Sequence, residues 1–123
     1  MVVTMRQIMR ILGSAEPKYK SAAMFGVEAL PHLEKLIKNK NVSPLIAAKA
    51  AYMASLIPDD KAVEILMLAA QSDSAQIRVA VADGIRNLSL SPAEKVLNIL
   101  NKDQDEGVRR IALRSMELTR KTK

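Results

Sequence analysis

The apolar positions of residues 72–88 recur at helical spacing. Positions 77, 80, 81, 85 and 88 are all hydrophobic, and this pattern predicts an amphipathic α-helix. Residues 103–119 repeat the pattern with a shift of 31, which aligns Val108 with Ile77 and Met116 with Ile85. The second half of the chain therefore contains one helical element twice.

A third copy of this element lies upstream at residues 45–56. A shift of 32 aligns Leu45 with Ile77 and Leu56 with Leu88. Another apolar-periodic segment precedes each copy, so the predicted unit is a helical hairpin. We predict three full repeats at 27–57, 58–88 and 89–119, an N-terminal capping helix pair at 1–26, whose second helix covers 18–25, and a basic tail at 120–123. In this register Ala80 and Ala82, with their counterparts Ala48 and Ala50, are expected at close helix contacts.

Residues that favour helix starts precede several of these segments. Ser91, with Pro92 and Glu94 after it, has the composition of a capping box. Asp73 and Asp103 are predicted to cap the second helices of their repeats, Ser43 to cap the first copy, and Asp60 to cap a helix that begins at Lys61. Gly13 is predicted to end the N-terminal helix.

The composition agrees with an all-α fold in a single domain. The 123 residues are 49% hydrophobic, only three are aromatic, and Ala, Leu, Ile and Met are abundant. Strands rely on aromatic and β-branched packing, so this composition disfavours a β architecture. The absence of cysteine excludes a disulfide framework, a thiolate metal site and a cysteine nucleophile, and it favours a cytoplasmic location.

The second helices resemble those of short HEAT repeats. The family favours an aspartate in the turn and an apolar-Arg pair in the second helix, and the chain has Asp73 with Ile77-Arg78 and Asp103 with Val108-Arg109. The first repeat departs from this motif because it has Leu45-Ile46 and no turn aspartate, so the ladder of Asp and Arg residues is not expected there. Tetratricopeptide repeats fit less well, since their period is about 34 residues.

The resemblance implies a right-handed α-solenoid of antiparallel helical hairpins, acting as a non-catalytic protein-interaction module or scaffold. Its partner surface would be the groove lined by the second helices. The expected partner is a protein, either a helix or a second copy of the chain. Because short HEAT-like repeats also occur in bilin lyase subunits, a role as an accessory subunit of such an enzyme is a further alternative.

Nucleic-acid binding is a second alternative, based on charge. The net charge is +6, but residues 39–90 carry five basic and five acidic side chains, so the excess lies at the two ends. The C-terminal cluster of Arg109, Arg110, Arg114, Arg120, Lys121 and Lys123 has the chemistry to grip phosphates. A solvated terminal repeat explains the same cluster. The N-terminal apolar run is interrupted by Arg6 and Arg10, so no membrane segment is expected.

The expected binding groove changes from apolar to charged along the repeats. The aligned columns predicted to be exposed are Ala47, Val79 and Arg110, then Ala51, Asp83 and Arg114, then Ala54, Arg86 and Glu117, with Tyr52 beside them. Small side chains allow close approach of a partner helix, whose acidic groups would lie near the arginines. The alternative is that the N-terminal helices cover the alanines.

Catalytic chemistry has little support in the sequence. The single histidine, His32, has neither a cysteine nor a second histidine to act with, and we interpret it as a surface residue. Asp59 and Asp60 follow Pro58 where a helix start is expected, which favours a capping role. We therefore expect no catalytic residues, no metal and no cofactor.

Overall fold

Helices are the regular secondary structure of the part of the chain that the structure describes, and turns and loops join them. This computed structural model describes residues 2–15, 17 and 19–122, except for the side chains of residues 21 and 22. It contains α1 (Met5–Leu12), α2 (Tyr19–Ala23), α3 (Leu30–Lys38), α4 (Pro44–Ala54), α5 (Asp60–Ala69), α6 (Ala75–Gly84), α7 (Leu90–Leu100) and α8 (Glu106–Thr122), with 3₁₀ turns at Gly26–Ala29 and Ile85–Asn87. No strand occurs in these ranges, and the all-α prediction is confirmed.

Two of the predicted boundaries change. Within the segment 18–25, Lys18 lies outside the described residues and α2 covers only Tyr19–Ala23. The segment 120–123 is not a tail, because α8 continues to Thr122; Lys123 is outside the described residues. The N-terminal helix α1 begins with a capping box between Thr4 and Gln7. Its C-cap residue is Gly13, where the sequence predicted the end of the helix.

The helices contact one another in two series. The second helices of the hairpins, α4, α6 and α8, pack in sequence order, and the contact between α4 and α6 is the most extensive in the described molecule. The first helices, α3, α5 and α7, also contact each other in sequence order, and each packs on the second helix of its own hairpin. Helices α1 and α2, which precede the first hairpin in the sequence, also contact α4. One continuous hydrophobic core runs through all of these contacts.

The structure corrects the register of the first repeat by one residue. The Ser43 hydroxyl accepts a hydrogen bond from the Ile46 amide, and the Ser74 hydroxyl accepts one from the Ile77 amide. These equivalent caps are 31 residues apart, so Ile46 is the counterpart of Ile77, and the predicted match of Leu45 with Ile77 is wrong. Buried positions repeat at the same interval: Ala50, Val81 and Ala112; Met53, Gly84 and Ser115; Ala54, Ile85 and Met116; Ile57, Leu88 and Thr119.

Several predicted caps move to a neighbouring residue. Helix α7 begins after Ser89 and includes Ser91, while α5 is capped by Asp59, whose carboxylate accepts from the Lys61 amide. In the turns before α6 and α8 the caps are Ser74 and Asp105, each one or two residues beyond the predicted aspartate. The Ser43 cap is confirmed at the predicted residue, and so is the capping role predicted for Asp59. The aspartate before α8, Asp103, has a different role.

Asp103 forms a buried ion pair with Arg78 of the preceding repeat. The Arg78 Nε lies 2.9 Å from the Asp103 Oδ2, and both side chains are less than a tenth exposed. Arg78 also donates from Nη1 to the carbonyl of Ser72 at 2.8 Å. The pair therefore links the second repeat to the third, whereas Arg109 stays within its own repeat and donates to the Asp103 carbonyl.

The close contact between α4 and α6 depends on a glycine. A Cβ atom built on Gly84 would lie 2.7 Å from the Ser55 Cβ, which is too close for any real side chain. The counterpart of Gly84 in α8 is Ser115, whose hydroxyl accepts from the Arg86 amide at 2.7 Å and donates to the Asp83 carbonyl at 3.0 Å. Helix α6 thus contacts α4 at Gly84. The neighbouring backbone groups of Asp83 and Arg86 contact Ser115 of α8.

Replacing Gly84 by Leu is expected to lower the free energy of unfolding by about 2 kcal/mol, because the new side chain forces α4 and α6 apart. Ala80→Leu in the same helix is the matched control. Ala80 is only half-buried, and its counterparts Lys49 and Ile111 are larger, so the expectation that Ala80 lies at a tight contact is wrong. Chemical denaturation should show a change within about 0.5 kcal/mol for this control. Equal effects of the two variants would contradict the packing described here.

Candidate interaction surface

The three alanines of the predicted groove lie in the core. Ala47 is 2% exposed, and Ala51 and Ala54 are fully buried. The groove prediction is therefore wrong at these positions. The physical reason is the register: Ala51 is the counterpart of Ala82, not of Asp83, and small residues at these positions let successive second helices pack closely.

Tyr52 is half-buried and contacts the N-terminal helix α2. Its ring meets that of Tyr19 edge to face, with the centroids 5.0 Å apart. Burial, followed by the neighbouring Tyr52, raises the pKa of the Tyr19 phenol above its usual value. Nearby, the Lys49 ammonium donates to the carbonyls of Leu12 and Ser14, at 3.1 and 2.9 Å, and holds the end of α1 against α4. Tyr52 is thus part of an intramolecular contact.

The middle of the predicted groove is occupied by contacts within the molecule. Val79 and Asp83 on α6 are half-buried, and so is Arg86 in the 3₁₀ turn that follows α6. The Arg86 Nη2 donates to the Asp83 Oδ1 at 2.8 Å, so the carboxylate that Arg86 was expected to find on a partner is supplied by the same chain, three residues earlier. The backbone of both residues also binds Ser115 of α8. These side chains border the α6–α8 contact.

Arg110 and Arg114 are the predicted site residues that remain exposed. They lie on one side of α8 with Leu113, which is 51% exposed, and with Glu106, Glu117 and Lys121; we call these six residues the α8 face. The Arg110 guanidinium lies 2.9 Å from the Glu106 carboxylate, and both side chains are about 70% exposed. At this exposure the pair contributes little to stability.

The middle of the α8 face, around Leu113, corresponds to positions that the earlier repeats bury. Leu113 is the counterpart of Ala51 and Ala82, both of which are fully buried, and Glu117 is the counterpart of Ser55, which contacts α6. In α4 and α6 this side is covered by the next second helix. In α8 no described part of the chain covers it, and a large apolar side chain stands where alanine occurs twice before.

A cavity marks the junction between the first and second repeats. In place of Arg78 and Asp103, the equivalent positions there hold Ala47 and Ser72. The cavity of about 500 Å³ at this junction is lined by Ile37, Val42, Ala47, Leu68, Ser72 and Ile77, with Lys38, Lys40 and Asp73 among the polar residues. Asp73 has no hydrogen bond or ion pair within the described ranges. The sequence predicted no ladder of Asp and Arg residues at this junction, and the structure agrees. The residue at the arginine position is, however, Ala47 and not Ile46.

The candidates for catalysis have structural partners. The His32 Nε2 lies 2.7 Å from the carbonyl of Val3 and joins the N-terminal segment to α3, so this histidine is half-buried and not a free surface residue. Asp59 caps α5 and, with Asp60, borders a second cavity of about 690 Å³ at the opposite end of the hairpins. The described residues contain no group of three His, Asp or Glu side chains placed to hold a metal ion. They also contain no helix long and apolar enough to cross a membrane.

Three residues that organise this surface are missed by pattern analysis. Gly84, Ser115 and Thr119 set the spacing of the second helices, and the Thr119 hydroxyl donates to the Ile85 carbonyl at 2.8 Å. The signal that could have revealed them is a small or hydroxyl-bearing residue at a position that is apolar in other repeats. The shift of 32 hid this signal for the first repeat, because Met53, the counterpart of Gly84, was aligned with Ile85.

No protein-family model matches the chain, and no curated protein matches it significantly in sequence.

Proposed function

We propose that this chain is a short HEAT-like solenoid that acts as a non-catalytic protein-interaction module. The observation that carries the proposal is the α8 face, whose exposed Leu113 is covered by no described residue, although α4 and α6 bury the equivalent alanines against the next second helix. The consecutive packing of the hairpins and the Arg78–Asp103 pair between repeats support the solenoid arrangement. A rigid stack that exposes this face offers a preformed surface to a protein partner.

The partner surface in this proposal is the α8 face instead of the predicted groove. It combines an exposed leucine with charges of both signs, which suits a specific polar and apolar contact. The buried alanines and Tyr52 take no part, since the molecule itself covers them. The role as an accessory subunit of a lyase has no specific observation that favours it over this module.

Site-specific photocrosslinking tests the proposal. A photoreactive amino acid at position 113 is expected to capture a polypeptide in a native-host extract, whereas the same group at Lys95, an exposed position on α7, is the matched control. The crosslinked species should depend on the α8 face and disappear in Arg110→Glu. Capture that is equal from both positions, or capture of nucleic acid alone from position 113, would overturn the proposal.

Nucleic-acid binding is the second candidate, favoured by the exposed Arg114, Arg120 and Lys121 near the end of α8. We expect only weak binding to duplex DNA without sequence preference, because Glu106 and Glu117 interrupt the basic surface. A fluorescence titration should show the affinity falling steeply between about 50 and 200 mM salt. A dissociation constant tighter than about 10⁻⁷ M at physiological salt would instead favour nucleic acid as the partner.

A further inference from the structure

Four of the five charged side chains of the α8 face form one stripe along the helix, and the fifth, Arg114, lies beside it. Because an α-helix turns by about 100° per residue, one sector of about 60° around the helix axis contains Glu106, Arg110, Glu117 and Lys121. Leu113 lies beside this sector, about halfway along its length. All five side chains are exposed. The order of charges along the stripe is acidic, basic, acidic, basic. The stripe is therefore complementary to its own reverse.

This order selects an antiparallel copy of the same helix. Positions 106 and 121, and positions 110 and 117, are symmetric about one point between Leu113 and Arg114. If a second α8 lies antiparallel across a two-fold axis at that point, Arg110 faces the second copy's Glu117 and Glu106 faces its Lys121. Each pair occurs twice because of the symmetry. The two Leu113 side chains then meet near the axis.

We propose that the chain forms a two-fold symmetric dimer through antiparallel pairing of its α8 faces, an inference that rests on the proposed function as a protein-interaction module. In parallel pairing Arg110 would face Arg110 and Glu117 would face Glu117, which is repulsive. A head-to-tail contact would bring α8 against the N-terminal helices, where Arg6, Arg10 and Lys20 are exposed. Among these arrangements the antiparallel pair alone places opposite charges together throughout the stripe.

The dimer is expected to be weak and sensitive to salt. Helix α8 has 17 residues and a length of about 25 Å, so the buried area falls in the lower range of specific interfaces. Arg114 flanks the stripe on the side opposite Leu113 and lies equally close to the two-fold point. The two copies of this side chain therefore also meet near the axis, and their repulsion opposes association. Raising the salt concentration should lower the dimer fraction, because the charge pairs at the rim are screened.

Charge reversal tests the pairing with the purified full chain. In sedimentation velocity over a concentration series at low salt, the wild type is expected to approach twice the monomer mass. Arg110→Glu and Glu117→Arg should each weaken the dimer at least about tenfold, since each places like charges together twice. The double variant Arg110→Glu/Glu117→Arg should recover the dimer. An equimolar mixture of the two single variants should form a heterodimer, in which all four pairs are again opposite in sign.

Lys95→Glu is the control, because it makes a similar charge change on α7 outside the stripe. Circular dichroism confirms that each variant stays folded. A wild-type monomer at every concentration, or a double variant no better than the single ones, overturns the dimer. Capture of a different protein from position 113 together with a monomeric wild type rejects the dimer but leaves the interaction module standing. If the wild type is a monomer and position 113 captures no protein, the dimer and the interaction module are both rejected.

Discussion

Replacing Ala51 by Glu is expected to lower the free energy of unfolding by at least about 3 kcal/mol and to leave much of the protein unfolded. Ala51 is fully buried in α4, and the backbones on this side are packed too closely to admit a longer side chain. A carboxylate there has no described cation beside it and loses its hydration without compensation. Thermal or urea unfolding followed by circular dichroism measures the loss.

Ala75→Glu is the matched control for this variant. Ala75 is exposed in the first turn of α6, where an added acidic side chain interacts favourably with the helix dipole. Its stability should stay within about 0.5 kcal/mol of the wild type. A folded Ala51→Glu protein with an unchanged unfolding midpoint would show that position 51 is accessible, and would restore the groove as a candidate binding surface.

Asp103→Ser should lower the free energy of unfolding by about 3 kcal/mol, because it leaves the buried Arg78 guanidinium without its carboxylate. Serine keeps the local turn, since Ser72 at the equivalent position accepts a hydrogen bond from the Ser74 amide just as Asp103 accepts one from the Asp105 amide. The variant thus removes the ion pair with little other change. Equilibrium denaturation in guanidinium chloride measures the loss.

The first junction of the protein supplies the compensating substitution. Ala47 and Ser72 stand there in place of the ion pair, and a cavity remains open beside them. The double variant Arg78→Ala/Asp103→Ser copies this arrangement and should be more stable than Asp103→Ser by at least about 1 kcal/mol, because no charge is left buried. Strictly additive losses would mean that Arg78 and Asp103 do not interact in the folded protein.

The sequence by itself was sufficient to predict helical hairpins. Apolar spacing located the second helices, the Ser43 and Gly13 signals located helix ends, and the composition disfavoured strands; all of these agree with the described residues of the structure. These features depend on local interactions between residues a few positions apart. The exposure of Arg110, Arg114 and Glu117 on α8 was also predicted correctly.

Only the tertiary structure decided which side of each second helix is buried. Alanine is compatible both with an exposed shallow groove and with a close helix contact, so Ala47, Ala51 and Ala54 carried no signal that separated the two. A shift of one residue rotates a helix by about 100° and moves a column of side chains to another side, yet it changes the apolar match very little. The partner of Asp103 was likewise set by packing between repeats, because Arg78 lies 25 positions away and reaches the carboxylate only after the hairpins stack.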